Sequence, residues 1–140
     1  MARIKFDVDL IRSISLIQRI TRSKIKDCID EGSRYLIIVD QGEISKAIGK
    51  GAQNVRHLEK SLNKKVRFVE FNPKPLTFIK NLISPLQIIE AVEEEEGVLA
   101  LTAADSSTRG YIIGRNGQNL RQLESVVKRY FPIKEIKVTR

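Results

Sequence analysis

With 140 residues, 41% of them hydrophobic, the chain has room for one ordinary domain or two very small ones, and no stretch reads as low-complexity disorder. The 25 Lys and Arg against 17 Asp and Glu leave a net charge of +8, which favours a polyanionic partner because cations displace the counterions condensed on phosphates. A single cysteine, Cys28, excludes an intrachain disulfide or a cysteine-based metal cluster; no apolar run approaches the ~20 residues of a membrane span, and the alternating charged and apolar residues of Met1–Asp9 are no signal peptide, so a cytoplasmic protein with no membrane partner is expected.

The first predicted element is a helix capped by Asp9, with Leu10, Ile14 and Ile17 at helical spacing and Ile11 and Ile20 widening the apolar stripe. Residues Lys24–Ile29 tend to alternate, as an edge strand does. Arg34–Val39 is a nearly continuous apolar and β-branched run, the pattern of a central strand. Ile44, Ala47 and Ile48 mark a short helix that ends in a glycine turn. A second helix starts near Gln53 with Val55, Leu58 and Leu62 on one face, and Val66–Phe71 is a last strand. Asn72-Pro73-Lys74-Pro75, with two prolines in four residues, breaks regular structure. The same order then returns: a short helix over Thr77–Leu82, a strand from Leu86 through Glu93 ending in an acidic run, a central strand over Val98–Thr102, a short helix over Ser106–Ile113, a helix lined by Leu120, Leu123, Val126 and Val127, and a strand over Ile136–Val138.

The recurrence is visible residue by residue. Ile48-Gly49-Lys50-Gly51-Ala52-Gln53-Asn54-Val55-Arg56-His57-Leu58-Glu59 aligns without gaps, at an offset of 65 residues, with Ile113-Gly114-Arg115-Asn116-Gly117-Gln118-Asn119-Leu120-Arg121-Gln122-Leu123-Glu124, and 7 of the 12 positions are identical. The chain is therefore two copies of one unit, with domains expected at 1–72 and 73–140. In each, a helical crossover joins the central and last strands, which must run parallel if adjacent. The expected fold class is α+β: twice a three-stranded mixed sheet covered on one face by three helices.

The glycine turns carry the candidate chemistry. A tight Gly-rich turn between two helices leaves backbone amides unshielded, and the second helix adds its first unpaired N–H groups; together they form an anion-binding concavity. Lys50 and Arg115 place a cation inside each turn. Neither copy has the spacing of a Walker loop, and a dinucleotide fingerprint would need a third glycine where Asn54 stands. His57 has no nucleophile or ligand partner at a useful spacing, and Glu93–Glu96 read as a solvated strand end, so no catalytic residue, metal site or cofactor is expected, and the protein is expected not to be an enzyme.

The pattern Ile-Gly-x-x-Gly-x-x-[Val/Leu] between two short helices resembles the KH domain, whose Gly-x-x-Gly loop clamps about four nucleotides of backbone. A helix and strand placed before the core resembles the type II arrangement. Two such units in one chain, and the run Gly-Arg-Asn-Gly-Gln-Asn at 114–119 above all, resemble the NusA-like family of archaeal transcription termination and antitermination factors. The resemblance spans about Phe6 to Val138.

It implies single-stranded RNA as partner, bound by Ile48, Gly49, Lys50, Gly51, Ala52, Gln53, Asn54 and Arg56 in one copy, and by Ile113, Gly114, Arg115, Asn116, Gly117, Gln118, Asn119 and Arg121 in the other. It also implies an apolar groove for bases, floored by Ile44, Ala47 and Ile48 and by Tyr111, Ile112 and Ile113. Arg56 and Arg121, at the start of the second helices, are candidate phosphate contacts. Ala52 departs from the family glycine, so the second copy is expected to be the sounder clamp. Residues 1–72 carry 15 basic and 9 acidic residues, a net of +6, and residues 73–140 carry 10 and 8, a net of +2. A monomer is expected, and RNA polymerase is an open second partner. Two other functions stay open at this point: a KH protein acting on ribosomal RNA in assembly or processing, and a protein-interaction adaptor with degenerate KH units.

Overall fold

The computed structural model of the chain describes residues 8–139, which divide into two compact units, 8–72 and 73–139. Residues 1–7, which include most of the Met1–Asp9 stretch and the start of the first expected domain, lie outside the described range.

The first unit runs α1 (Val8–Thr21), β1 (Ile25–Asp30), β2 (Arg34–Val39), α2 (Ile44–Ile48), α3 (Gln53–Leu62) and β3 (Lys65–Glu70). Its sheet has the order β1-β2-β3, with β1 antiparallel and β3 parallel to the central β2. Asp9, expected to cap the first helix, lies within α1 instead. Ile17, Ala47 and Leu58 from the three helices pack on Cys28, Ile37, Val39, Val66 and Phe68, which share one sheet face. Leu10, Ile14, Ile20, Val55 and Leu62 close the margin of this core. Ile11 does not join it: it is 52% exposed, one residue off the stripe. The opposite face is buried as well, through Leu36, Ile38 and Val69. The three helices all pack on one face of this sheet, as expected from the sequence. The unbroken apolar run in β2 is the mark of a strand buried on both sides.

The second unit repeats the order with α4 (Pro75–Ile83), β4 (Ile88–Glu95), β5 (Val98–Ala103), α5 (Ser106–Ile113), α6 (Gln118–Lys128) and β6 (Glu135–Thr139). β4 is antiparallel and β6 parallel to the central β5. Pro75 opens α4, where its missing N–H costs nothing. The Asp105 side chain caps α5 by accepting from the Thr108 N–H at 2.7 Å. Here burial alternates along β5: Leu99, Leu101 and Ala103 are buried with Ile136 and Val138 of β6, while Ala100 and Thr102 are half-exposed. Phe78 of α4 is fully buried and meets Tyr130 edge-on, with 5.6 Å between ring centroids. The acidic end of β4 is solvated, with Glu93 accepting from the Gly97 N–H at 3.0 Å and Glu94 3.5 Å from the Lys137 ammonium. Among the described residues no helix is long and apolar enough to cross a membrane.

Candidate nucleic-acid interface

In each unit two helices meet at a glycine corner. α2 ends at Ile48, a one-turn 3-10 segment spans Lys50–Ala52, and α3 begins at Gln53; in the second unit α5 ends at Ile113, the turn spans Arg115–Gly117, and α6 begins at Gln118. The backbones of the two corners coincide step by step. Gly49 and Gly114 have φ/ψ of 79/168° and 75/176°. Gly51 and Asn116 are left-handed at 61/26° and 56/27°, and Ala52 and Gly117 follow at 59/28° and 72/14°. Ala52 thus adopts the left-handed conformation that a glycine holds in the other copy. The methyl departs from the family pattern without changing the corner's shape, so the backbone gives no ground for ranking the second clamp above the first.

Hydrogen bonds that close the first corner run from the N–H of Gly49 to the Ser45 carbonyl (3.0 Å), of Ala52 to Gly49 (3.1 Å) and of Gln53 to Lys50. Their counterparts run from Gly114 to Gly110 (2.8 Å), from Gly117 to Gly114 (3.1 Å) and from Gln118 to Arg115. The N–H groups of Lys50, Gly51, Arg115 and Asn116 are not among them. These four residues are exposed, as are Gln53 and Gln118, so main-chain donors and the cationic Lys50 and Arg115 side chains share one solvent-facing surface in each unit.

Two side chains brace each corner. The Asn54 Nδ2 donates to the Lys46 carbonyl at 3.2 Å, and the Asn119 Nδ2 donates to the Tyr111 carbonyl at 3.0 Å. The Arg56 Nη1 donates to the Gly51 carbonyl at 2.6 Å, and the Arg121 Nη1 donates to the Asn116 carbonyl at 2.6 Å. The asparagine ties the outgoing helix to the last turn of the incoming one, and the arginine ties it to the turn between them. These residues, read from the sequence as RNA contacts, therefore also build the corner. Both arginines remain exposed, so one donor is engaged while the cationic group still faces solvent.

The apolar floor expected beside each corner separates into two kinds of residue. Ala47 and Ile112 are buried in the cores, at 0% and 3% exposure, and present no surface to a base. Ile48 and Ile113 are half-buried, as is Ile44, while Tyr111 stands out at 68% exposure. Glu59 and Glu124 were given no role by the sequence, although they close the repeated motif. The Glu59 Oε2 accepts from the Val66 N–H at 3.0 Å, and the Glu124 Oε2 from the Ile136 N–H at 2.8 Å, anchoring the second helix to the first residues of the last strand.

Comparison with known proteins places this architecture. A protein of Methanocaldococcus jannaschii named "Probable transcription termination protein NusA" is 31% identical over 140 residues, an alignment covering 99% of this chain and 76% of that relative. The chain belongs to that family. Proteins of the same name from Methanococcus vannielii and Halococcus morrhuae are 28% and 27% identical, each over 97% of this chain and over 80% and 99% of their own lengths. The crystal structure of APE1850 matches with a TM-score of 0.75 at 24% identity, over 95% of this chain and 99% of that one, which shows a shared fold. No family model matches the sequence. Within this NusA family chain, both copies of the glycine corner keep the same backbone and the same two braces.

Proposed function

We propose that the chain is a non-enzymatic transcription factor that binds nascent single-stranded RNA through two type II KH domains, 1–72 and 73–140, and modulates termination and antitermination. The relatives' shared name supports the link to transcription. The observation that carries the binding step is the pair of matching corners, each with an exposed cation in the turn and a left-handed backbone pair before the second helix. A phosphate chain laid across such a corner meets main-chain donors, a cation and the positive end of α3 or α6. The net charge of +8 draws the polyanion in, and on this reading the protein works in the cytoplasm as a monomer, with RNA polymerase as a second partner.

The test is fluorescence anisotropy with a labelled single-stranded oligoribonucleotide at low salt. Lys50→Asp combined with Arg115→Asp abolishes binding on this reading, and a duplex competes poorly because paired bases cannot leave their stack. The slope of log affinity against log salt is about −0.7 for each phosphate neutralised. Unchanged affinity in the double variant overturns the clamp. Crosslinking and sequencing of bound RNA then separates nascent transcripts from ribosomal RNA precursors.

A further inference from the structure

Among the described phenylalanine and tyrosine residues Tyr111 alone is exposed. The other rings are engaged: Phe71 lies under the Lys26 ammonium at 4.3 Å, Tyr35 under Lys64 at 4.5 Å, and Phe78 packs against Tyr130 and Phe131. Phe68 is in the core. Tyr111 sits on the last turn of α5, three residues before Gly114, and its carbonyl is held at 3.0 Å by Asn119, which follows the corner. The Tyr111 backbone is thereby tied to the frame of the second clamp while its side chain stands largely in water.

We propose that Tyr111 stacks on a nucleobase of the strand held at the second corner, a contact for which the first corner has no ring at the matching position. The proposal rests on the RNA-binding reading above and deepens it. The repeat supplies the contrast: the residue equivalent to Tyr111 is Lys46, exposed and cationic. The first unit thus adds a further charge beside its corner, in a half of the chain with net +6. The second, at net +2, offers a ring in its place. A strand gripped by its phosphates at 114–117 carries its bases one nucleotide spacing away, and every base has a π-face whatever its sequence.

The chain has no tryptophan, so Tyr111→Trp introduces a single tryptophan that can be excited selectively beyond the tyrosine absorption. It is titrated, in the full chain, with a single-stranded oligoadenylate and with a strand of equal length carrying abasic sugars. The expected result is quenching by the first and none by the second. Tyr111→Ala weakens binding of the base-bearing strand by roughly 5-fold or more, the scale of one lost base–aromatic stack, and leaves the abasic strand unaffected, while Tyr111→Phe binds like the parent. Lys46→Tyr creates base-dependent affinity at the first corner. If Tyr111→Ala binds the oligoadenylate as the parent does, or weakens both strands equally, the stacking role is overturned while the clamp stands. If the unmodified chain binds neither strand, the clamp itself falls and the stacking role with it.

Discussion

Gly114→Ala puts the geometry of the second corner to a direct test. The residue has φ 75° and ψ 176°, a region that side-chain-bearing residues essentially do not enter. An added Cβ would lie 2.5 Å from Asn119 Cγ and 2.6 Å from its Nδ2, so Asn119 must also move and release the Tyr111 carbonyl. Backbone strain of about 1–3 kcal/mol adds to about 1 kcal/mol for the lost hydrogen bond, giving a destabilisation of roughly 2–4 kcal/mol. The control is Gly51→Ala. Its φ is also positive, at 61°, but a Cβ there meets nothing within 4 Å, and the next residue, Ala52, already holds that conformation. It should cost only about 1 kcal/mol of left-handed strain. Native-state amide exchange of Leu101 in β5 reports the second unit, and that of Ile37 in β2 the first. Gly114→Ala should accelerate exchange at Leu101 far more than Gly51→Ala does at Ile37. Equal effects would refute the reasoning, because they would mean that the contact with Asn119 carries no weight.

Ala52→Gly should stabilise the first unit by about 1 kcal/mol, by relieving left-handed strain at φ 59° without altering the corner, and slower exchange at Ile37 checks it. Glu124→Ala should destabilise the second unit by about 1–3 kcal/mol, since it strips the partner from the Ile136 N–H of a strand whose side chain there is buried; a urea titration measures it, with Glu59→Ala as the counterpart in the first unit. Burial, and then the Asp27 and Asp30 carboxylates, push the Cys28 thiol up to about 12. The folded chain keeps this proton while the unfolded chain releases it from about 8.5 upward. The thiol's contribution is therefore fully present below that pH and is lost as pH rises toward the folded value. Cys28→Ala should remove this part of the alkaline slope in a stability profile, and in the native protein a thiol reagent should react at the rate of unfolding.

Element order and strand pairing were legible in the sequence because the two copies corroborate each other. A glycine turn alone fits many corners, but seven identities in twelve at a fixed offset fix the same crossover twice. Helical spacing placed Ile14, Ile17, Val55 and Leu58 correctly, yet admitted Ile11, because a stripe read at 3.6 residues per turn does not say how wide the buried arc is. The continuous run in β2 already held the sign of a strand buried on both faces, against the alternation of β5, and it was read only as a central position. The groove residues were the least legible. Ala47 and Ile48 are neighbours of similar character, and only the turn of a five-residue helix decides that one enters the core and the other reaches the surface.

The arginines show why a sequence resolves the residues of such a site better than their roles. Arg56 and Arg121 read as phosphate contacts because they are basic, repeated and close to the turn. The structure makes each a strut, donating to the carbonyl of the first left-handed residue at 2.6 Å. The two roles are compatible in one side chain, since a guanidinium has five donors and the strut engages one of them. A lysine could supply the charge but not the planar fork that reaches the carbonyl and solvent together. The left-handed pair is costly wherever its residues are not glycine, as at Ala52 and Asn116, and a positive group bonded to the carbonyl of that pair offsets some of the cost. The same bond holds a cation at the mouth of the corner, so the side chain that braces the turn also sets its local positive charge.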